Sequence, residues 1–326
     1  MRAWHRALIA LALFCPLFGP FRAGAADPPW PTRPVVLVVS YPPGAITDTV
    51  GRRVAERLGV ALGQNVVVEN RGGAGGNVAA AHVARQRGDD HILLFTSYGN
   101  LIIAAAAEQK LDFHPFRDLT PVTMIGPMSV VLLVRPGLPA EDLRGFLAHA
   151  RANPGRVNFA SVGVGSSYHL LIEQLQAYGG LSFTHVPYRG GMAGMTDLLG
   201  GRVDATLATV LFARPFLSDG RARGIAIANA ERSPALPELP TVAEAVPGAQ
   251  LTDGLAVLGP PTLPPPVVAR LNAALNAIIS EPAMRDWLTG EGVTPRPGPP
   301  EALSTEMQTA AGPLQRLLAE AGIKLE

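Results

Sequence analysis

Two stretches of this chain, residues 41–58 and 159–175, share one layout: the end of a strand, a glycine-bearing loop of small residues, then an amphipathic helix. The first follows the apolar run Val35–Val39 with Tyr41-Pro42-Pro43-Gly44-Ala45-Ile46-Thr47-Asp48, and its helix carries Val50, Val54 and Leu58 on one face. The second follows residues 157–160 with Ser161-Val162-Gly163-Val164-Gly165-Ser166-Ser167, and its helix carries Leu171, Leu175 and Tyr178. A turn of this kind aims backbone N–H groups and the positive end of a helix at one point, which suits an anion. Two such turns, more than 100 residues apart, predict two lobes closing on one small anionic ligand.

The rest of the chain keeps the same rhythm. Val66-Val67-Val68 leads into Arg71-Gly72-Gly73-Ala74-Gly75-Gly76-Asn77 and a helix over 78–87. A buried run at 91–95 ends in Thr96-Ser97-Tyr98-Gly99-Asn100. Such alternation predicts an α/β fold with a largely parallel sheet. Gly126-Pro127 separates two apolar runs and marks a crossing between lobes, and the run at 255–258 is expected to return to the first lobe. The expected division is residues 26–127 with 229–326 as a discontinuous first lobe and 128–228 as an inserted second one. Two helices are expected over 266–280 and 300–321, with proline-rich coil between them.

Residues 1–25 have the form of a secretory signal: Arg2, His5 and Arg6, an apolar stretch over 7–17, then Ala23-Gly24-Ala25. Pro16 and Pro20 interrupt the apolar stretch, and a span needs ~20 apolar residues, so an anchor is disfavoured. The single cysteine, Cys15, lies inside this stretch, so the expected mature chain has no disulfide and no thiolate nucleophile or ligand. Removing the segment leaves 24 Lys and Arg against 26 Asp and Glu, a net charge of −2. That lacks the basic surplus nucleic acid requires, and no nucleic-acid partner is expected. A soluble periplasmic protein is the expectation.

The glycines of residues 72–76 do not fit a dinucleotide fingerprint: counted from Gly73 the third glycine is replaced by Val78, and counted from Gly72 the pattern breaks at Ala74. A tight, closely packed turn is expected there, and no cofactor. Ser166 or Ser167 with His169 and Glu173 suggests a hydrolase, but no G-x-S-x-G elbow is present and triads usually draw on separate elements. Capping of the helix by one of these serines, with His169 packed under the loop, is the plainer reading and is compatible with carboxylate binding. The other histidines show no ligand spacing, so no metal is expected. Asp48, in the first turn of its helix, suits a capping role. Ser97 ends a strand, where α/β clefts collect ligands, and Tyr188 is either core or cleft wall.

These segments, in this order, resemble the extracytoplasmic solute receptors of tripartite tricarboxylate transporters, the Bug receptors. The matching pieces are Tyr41-Pro42-Pro43-Gly44 with Asp48, Glu69-Asn70-Arg71-Gly72-Gly73-Ala74-Gly75-Gly76-Asn77, and residues 160–170 with Gly163, Gly165, Ser166 and His169. Others are His185-Val186-Pro187-Tyr188-Arg189-Gly190, residues 197–204, residues 239–245 and the closing Ala321-Gly322-Ile323-Lys324. The resemblance implies a type II-like periplasmic binding protein of two α/β lobes, non-catalytic and monomeric. Such a receptor captures a small carboxylate and passes it to membrane transporter subunits. It also implies that the two loops hold the carboxylate largely through backbone groups and waters. On that basis the expected ligand-binding residues are Tyr41, Gly44, Ala45, Thr47, Asp48 and Ser97 from one lobe. Ser161, Gly165, Ser166, Ser167, Tyr188 and Ala208 are expected from the other.

Three positions depart from the family pattern: Ala45 replaces a glycine, Ala208 an acid, and Thr252 a tryptophan. Neither anion loop carries a lysine or arginine, and Ala208 removes a partner for an ammonium group. A plain mono- or dicarboxylate is therefore expected over an amino acid. A sensor feeding a membrane receptor is the alternative from another class, and a serine hydrolase is a further one.

Overall fold

The computed structural model describes residues 30–188 and 190–320. The expected export segment, Arg189 and the closing 321–326 motif lie outside the described residues. The chain begins with β1 (Val35–Val39), α1 (Ile46–Leu62), β2 (Val66–Asn70), α2 (Asn77–Ala84), β3 (Ile92–Ser97), α3 (Gly99–Ala106) and β4 (Thr120–Pro127). It continues through β5 (Val130–Val134), α4 (Leu143–Ala152), β6 (Val157–Ser161), α5 (Ser167–Gly179), β7 (Phe183–Pro187) and α6 (Gly191–Leu199). Then come β8 (Ala205–Thr209), α7 (Val210–Ser218), β9 (Arg223–Ile227), β10 (Gly254–Gly259), α8 (Pro265–Ser280), α9 (Pro282–Gly290) and α10 (Pro300–Glu320).

Two five-stranded sheets result, ordered β2-β1-β3-β10-β4 and β7-β6-β8-β5-β9. The two have the same plan. A parallel trio (β2-β1-β3, β7-β6-β8) is extended by an antiparallel strand, β10 in one and β5 in the other. The late β10 inserts between β3 and β4, so the chain does return to the first sheet. β3 is buried at every position, as a strand covered on both faces requires. β2, at the edge, is half-buried and leaves Val67 exposed. Each sheet has apolar clusters on both faces, built from Leu37, Phe95 and Val257 or Val38, Leu94 and Ala256 in the first. The second uses Leu132, Phe159 and Leu207 on one face, and Val131, Leu133 and Ala208 on the other. This is a two-lobed α/β molecule.

Helix periodicity explains how the elements dock. In α1, Val50, Val54, Leu58 and Leu62 recur every fourth residue and are buried. Gly63, at φ +68°, closes the helix by donating to the Gly59 and Val60 carbonyls. The stretch between the two terminal helices is not all coil, because Pro282 opens α9, which buries Met284 and Leu288. Proline at the first turn starts a helix as readily as it breaks one. Val242, Val246 and Leu251, beyond β9, still pack in the core of the second sheet. The crossings are tied together: Asn229 Oδ1 accepts from the Val130 amide at 2.8 Å, and Ser129 N donates to Gly292 O at 2.7 Å.

Candidate functional site

In each sheet the chain leaves the middle strand of the parallel trio in one direction and later returns on its other side. The loops after β1 and β3, and after β6 and β8, therefore meet at a switch point where α/β folds leave a crevice. The β1–α1 loop turns at Gly44, whose φ of +85° suits glycine. Its amide donates to Asp48 Oδ2 at 2.9 Å. Asp48 Oδ1 also receives Asn70 Nδ2 at 2.8 Å and Arg52 Nε at 2.9 Å. Burial would raise the Asp48 carboxyl, but Arg52, the Gly44 amide and Asn70 outweigh it and hold it below its ordinary value. Asp48 thus bonds back across the first turn, and Ala45 is the N-cap, with no side-chain capping bond. The amides of Ile46, Thr47 and Asp48 have no acceptor among the described residues and form the open positive end of α1.

The β6–α5 loop turns at Gly163 (φ +128°) and Gly165 (φ +77°). Ser166 is the N-cap of α5: its Oγ accepts from His169 N at 3.2 Å and donates to Gly163 O at 2.7 Å. Ser161, only 2 % exposed, lies 2.6 Å from His185 Nε2 and accepts from Gly163 N. Both hydroxyls shape the loop from within. His169 sits under it, accepting the Gly165 amide on Nδ1 at 3.2 Å, stacked on His185 at 4.1 Å between ring centroids and 3.3 Å from Glu173 through Nε2. Among the described residues no hydroxyl of Ser166 or Ser167 pairs with a histidine side chain, and Ser161, which pairs with the half-buried His185, is itself buried. The amides of Val164, Ser167 and Tyr168 and the Ser167 hydroxyl remain open among the described residues.

The predicted residues take different positions. Ser97 Oγ donates to Asp253 Oδ1 at 2.6 Å. Tyr41 accepts from Asn100 Nδ2 at 2.6 Å and reaches Gly75 O. Desolvation, then the Asp253 charge, pushes the Tyr41 hydroxyl above its ordinary range, and the same causes with Tyr41 do so for Tyr168. Tyr188 donates to Asp197 at 2.7 Å, and its hydroxyl, desolvated and facing that carboxylate, is pushed up to about 12. Ala208, 3 % exposed, packs in the apolar cluster with Val131 and Leu133, so its side chain belongs to the core. The glycine turn at 72–76 is closely packed: a Cβ at Gly76 would meet Ser40 at 3.2 Å.

Between the lobes lies a crevice of about 790 Å³, walled by α3, α5, α10 and the crossings. Of the predicted residues only Ser167 lines it; Gly99, Leu170, Gln174 and Asp253 are among its other walls. Leu170, on α5, also packs in an apolar cluster of the first sheet with Ile102 and Ile103, so the lobes touch there. Asp253, Asn100 and Tyr168 were not anticipated. An aspartate before a glycine looks like any turn residue, and only the pairing of β10 with β3 brings Asp253 to Ser97.

Residues 50–316 match the model of the tripartite tricarboxylate transporter family receptor. BugT of Bordetella pertussis is 32 % identical over 98 % of this chain and 99 % of its own. Rpa4515 of R. palustris, solved with adipate, superposes with a TM-score of 0.82 at 31 % identity over 90 % of this chain and 99 % of that one. MatC of Rhodopseudomonas palustris, solved with malate, gives 0.77 at 33 % identity over 88 % and 99 %. Members of this family are periplasmic ligand-binding receptors, not enzymes, which removes the hydrolase reading. With both lobes matched and almost the full length of each relative covered, the chain belongs to the tripartite tricarboxylate transporter receptor family.

Proposed function

We propose that the chain captures a small carboxylate between its lobes in the periplasm and delivers it, as a monomer, to the membrane subunits of a tripartite tricarboxylate-type transporter. One observation carries this reading: the first turns of α1 and α5 each keep amides without acceptors among the described residues, at equivalent places in the two sheets. An anion satisfies those donors without any fixed cation. Gly44 and Gly165 shape the loops, Thr47 and Ser167 offer amides, and Tyr41 stands beside them. Asp48, Ser161 and Ser166 hold the loops in form, Ala45 narrows the first, and Ser97 and Tyr188 border the cleft. The adipate and malate found in two relatives support a carboxylate ligand. Residues 1–25 act as the export signal, and the lobes move about the crossings at 127–130 and 228–253.

Calorimetric titration of the purified chain with adipate, malate and succinate tests this. Saturable one-to-one binding of at least one is expected. If none binds, and mass spectrometry of gently purified protein finds a retained ligand without a carboxylate, the reading is wrong.

A further inference from the structure

Asp253 opens a question that the carboxylate loops do not answer. It is 6 % exposed, and it lies on the wall of the interlobe crevice. Its Oδ1 accepts three hydrogen bonds, from Ser97 Oγ at 2.6 Å, Gly99 N at 3.0 Å and Gly254 N at 2.7 Å. Among the described residues Oδ2 accepts none, and no cation pairs with the carboxylate. The arginines on the same wall are committed elsewhere: Arg296 contacts Glu231 and Glu306, and Arg232 is paired with Glu244. A buried carboxylate without a counter-charge is costly, and folds seldom keep one without use.

The plain explanation is that Asp253 caps α3, whose N-cap Tyr98 supplies no side-chain bond. That accounts for Oδ1 and not for the charge. Asparagine or serine would accept the Gly99 amide with less desolvation. The fold also makes room for the carboxylate: a Cβ at Gly99 would sit 2.6 Å from Asp253 Cγ. The effect is electrostatic. The positive end of α3, which would otherwise be a third anion-binding terminus at this switch point, is filled by a negative charge of the chain itself. Near Asp253 the crevice therefore disfavours a carboxylate and favours a hydrogen-bond donor bearing positive charge.

We propose that Asp253 is a specificity-determining residue that receives an ammonium group of the ligand, so that the receptor selects an amino acid-type carboxylate over a dicarboxylate. This rests on the carboxylate-receptor reading and narrows it. It replaces the expectation drawn from Ala208: the acid absent from β8 is supplied by the start of β10. An ammonium held here completes the Oδ2 side of the carboxylate with a charge-assisted hydrogen bond.

The test is selectivity, because a merely structural role would weaken all ligands alike. Dissociation constants are measured by calorimetry for two matched pairs, aspartate with succinate and 6-aminohexanoate with adipate, on wild type and Asp253→Asn. Asparagine keeps an acceptor for Ser97, Gly99 and Gly254, so the variant is expected to fold, which circular dichroism checks. In wild type the amino member of at least one pair should bind about tenfold or more tighter than its dicarboxylate partner, and Asp253→Asn should bring that ratio close to one. Dicarboxylates binding as well or better in both pairs, or a ratio that Asp253→Asn leaves unchanged, overturns the proposal while the receptor reading stands. Failure of all four probes to bind overturns this proposal, and the receptor reading falls with it only if the ligand retained by gently purified protein also lacks a carboxylate.

Discussion

Gly44 and Gly165 were singled out in the sequence because a backbone must approach an anion closely. Their conformations add a second reason: both have φ near +80°, where a Cβ is strained. At Gly44 nothing lies within 4 Å of an added Cβ, so the cost of substitution there is conformational, not steric. Asparagine tolerates the left-handed region better than a β-branched residue. Gly44→Val should therefore lose about 1–3 kcal/mol of stability and Gly44→Asn clearly less. Denaturant melts of the two variants measure this; equal losses would show that φ at this turn is free to change. Ser161 shows what the sequence could not tell, whereas the capping role of Ser166 was legible in it. Loop serines in an anion-binding motif look like ligand donors, yet here their hydroxyls bond His185, Gly163 and the His169 amide. The direction of Ser161 is set by His185, 24 residues on, which nothing in the loop announces.

At the scale of elements, α5 and β7 are joined by the stacked pair His169 and His185. Burial first, and then the neighbouring His169 charge, lowers the His185 imidazole to about 4, with Glu173 opposing. Its partners on α5 are those two groups, and on β6 the Ser161 hydroxyl. In the unfolded chain an imidazole titrates near ~6.5, so between about 6.5 and 4 the unfolded state takes up a proton that the native state refuses. The stability that neutral His185 provides is complete above ~6.5 and is lost as the pH falls toward 4. Because the ring is partly exposed, screening reduces the effect to on the order of 1 kcal/mol. Thermal melts across pH 4 to 7 should show a shallower decline for His185→Gln than for wild type. Parallel curves would mean that other groups carry the acid sensitivity. Elements with a strong signal, the fourfold apolar spacing of α1 and the continuous apolar runs of β1 and β3, were legible in the sequence. α7 and α9 were not: each is nine residues long, and α7 contains Pro215 and α9 opens at Pro282. Prolines that resemble breakers are here part of helices held by burial of Ala213, Met284 and Leu288.

For the molecule as a whole, the sequence rhythm and the family motifs anticipated two lobes but could not show how they meet. That depends on faces of α3 and α5 with no marker beyond ordinary apolar spacing. Leu170 is the residue that crosses: it belongs to a helix of the second sheet and is buried with Ile102 and Ile103 of the first. A ligand held by both loops favours the closed state only by its differential affinity for it, and whatever else stabilises closure adds to the apparent affinity. Leu170 is such a contribution, made without touching the anion loops. Truncating it removes apolar contact that forms between the lobes, on the order of 1–2 kcal/mol at about 25 cal/mol per Å². Leu170→Ala should therefore bind its carboxylate about tenfold more weakly while keeping the selectivity of wild type. Without ligand its radius of gyration in solution scattering should exceed that of wild type, and saturating ligand should bring both to the same compact value. An affinity untouched by Leu170→Ala, or a wild-type radius that no bound carboxylate alters, would mean that the contact along α3 and α5 is a fixed seam and not part of a closing cleft.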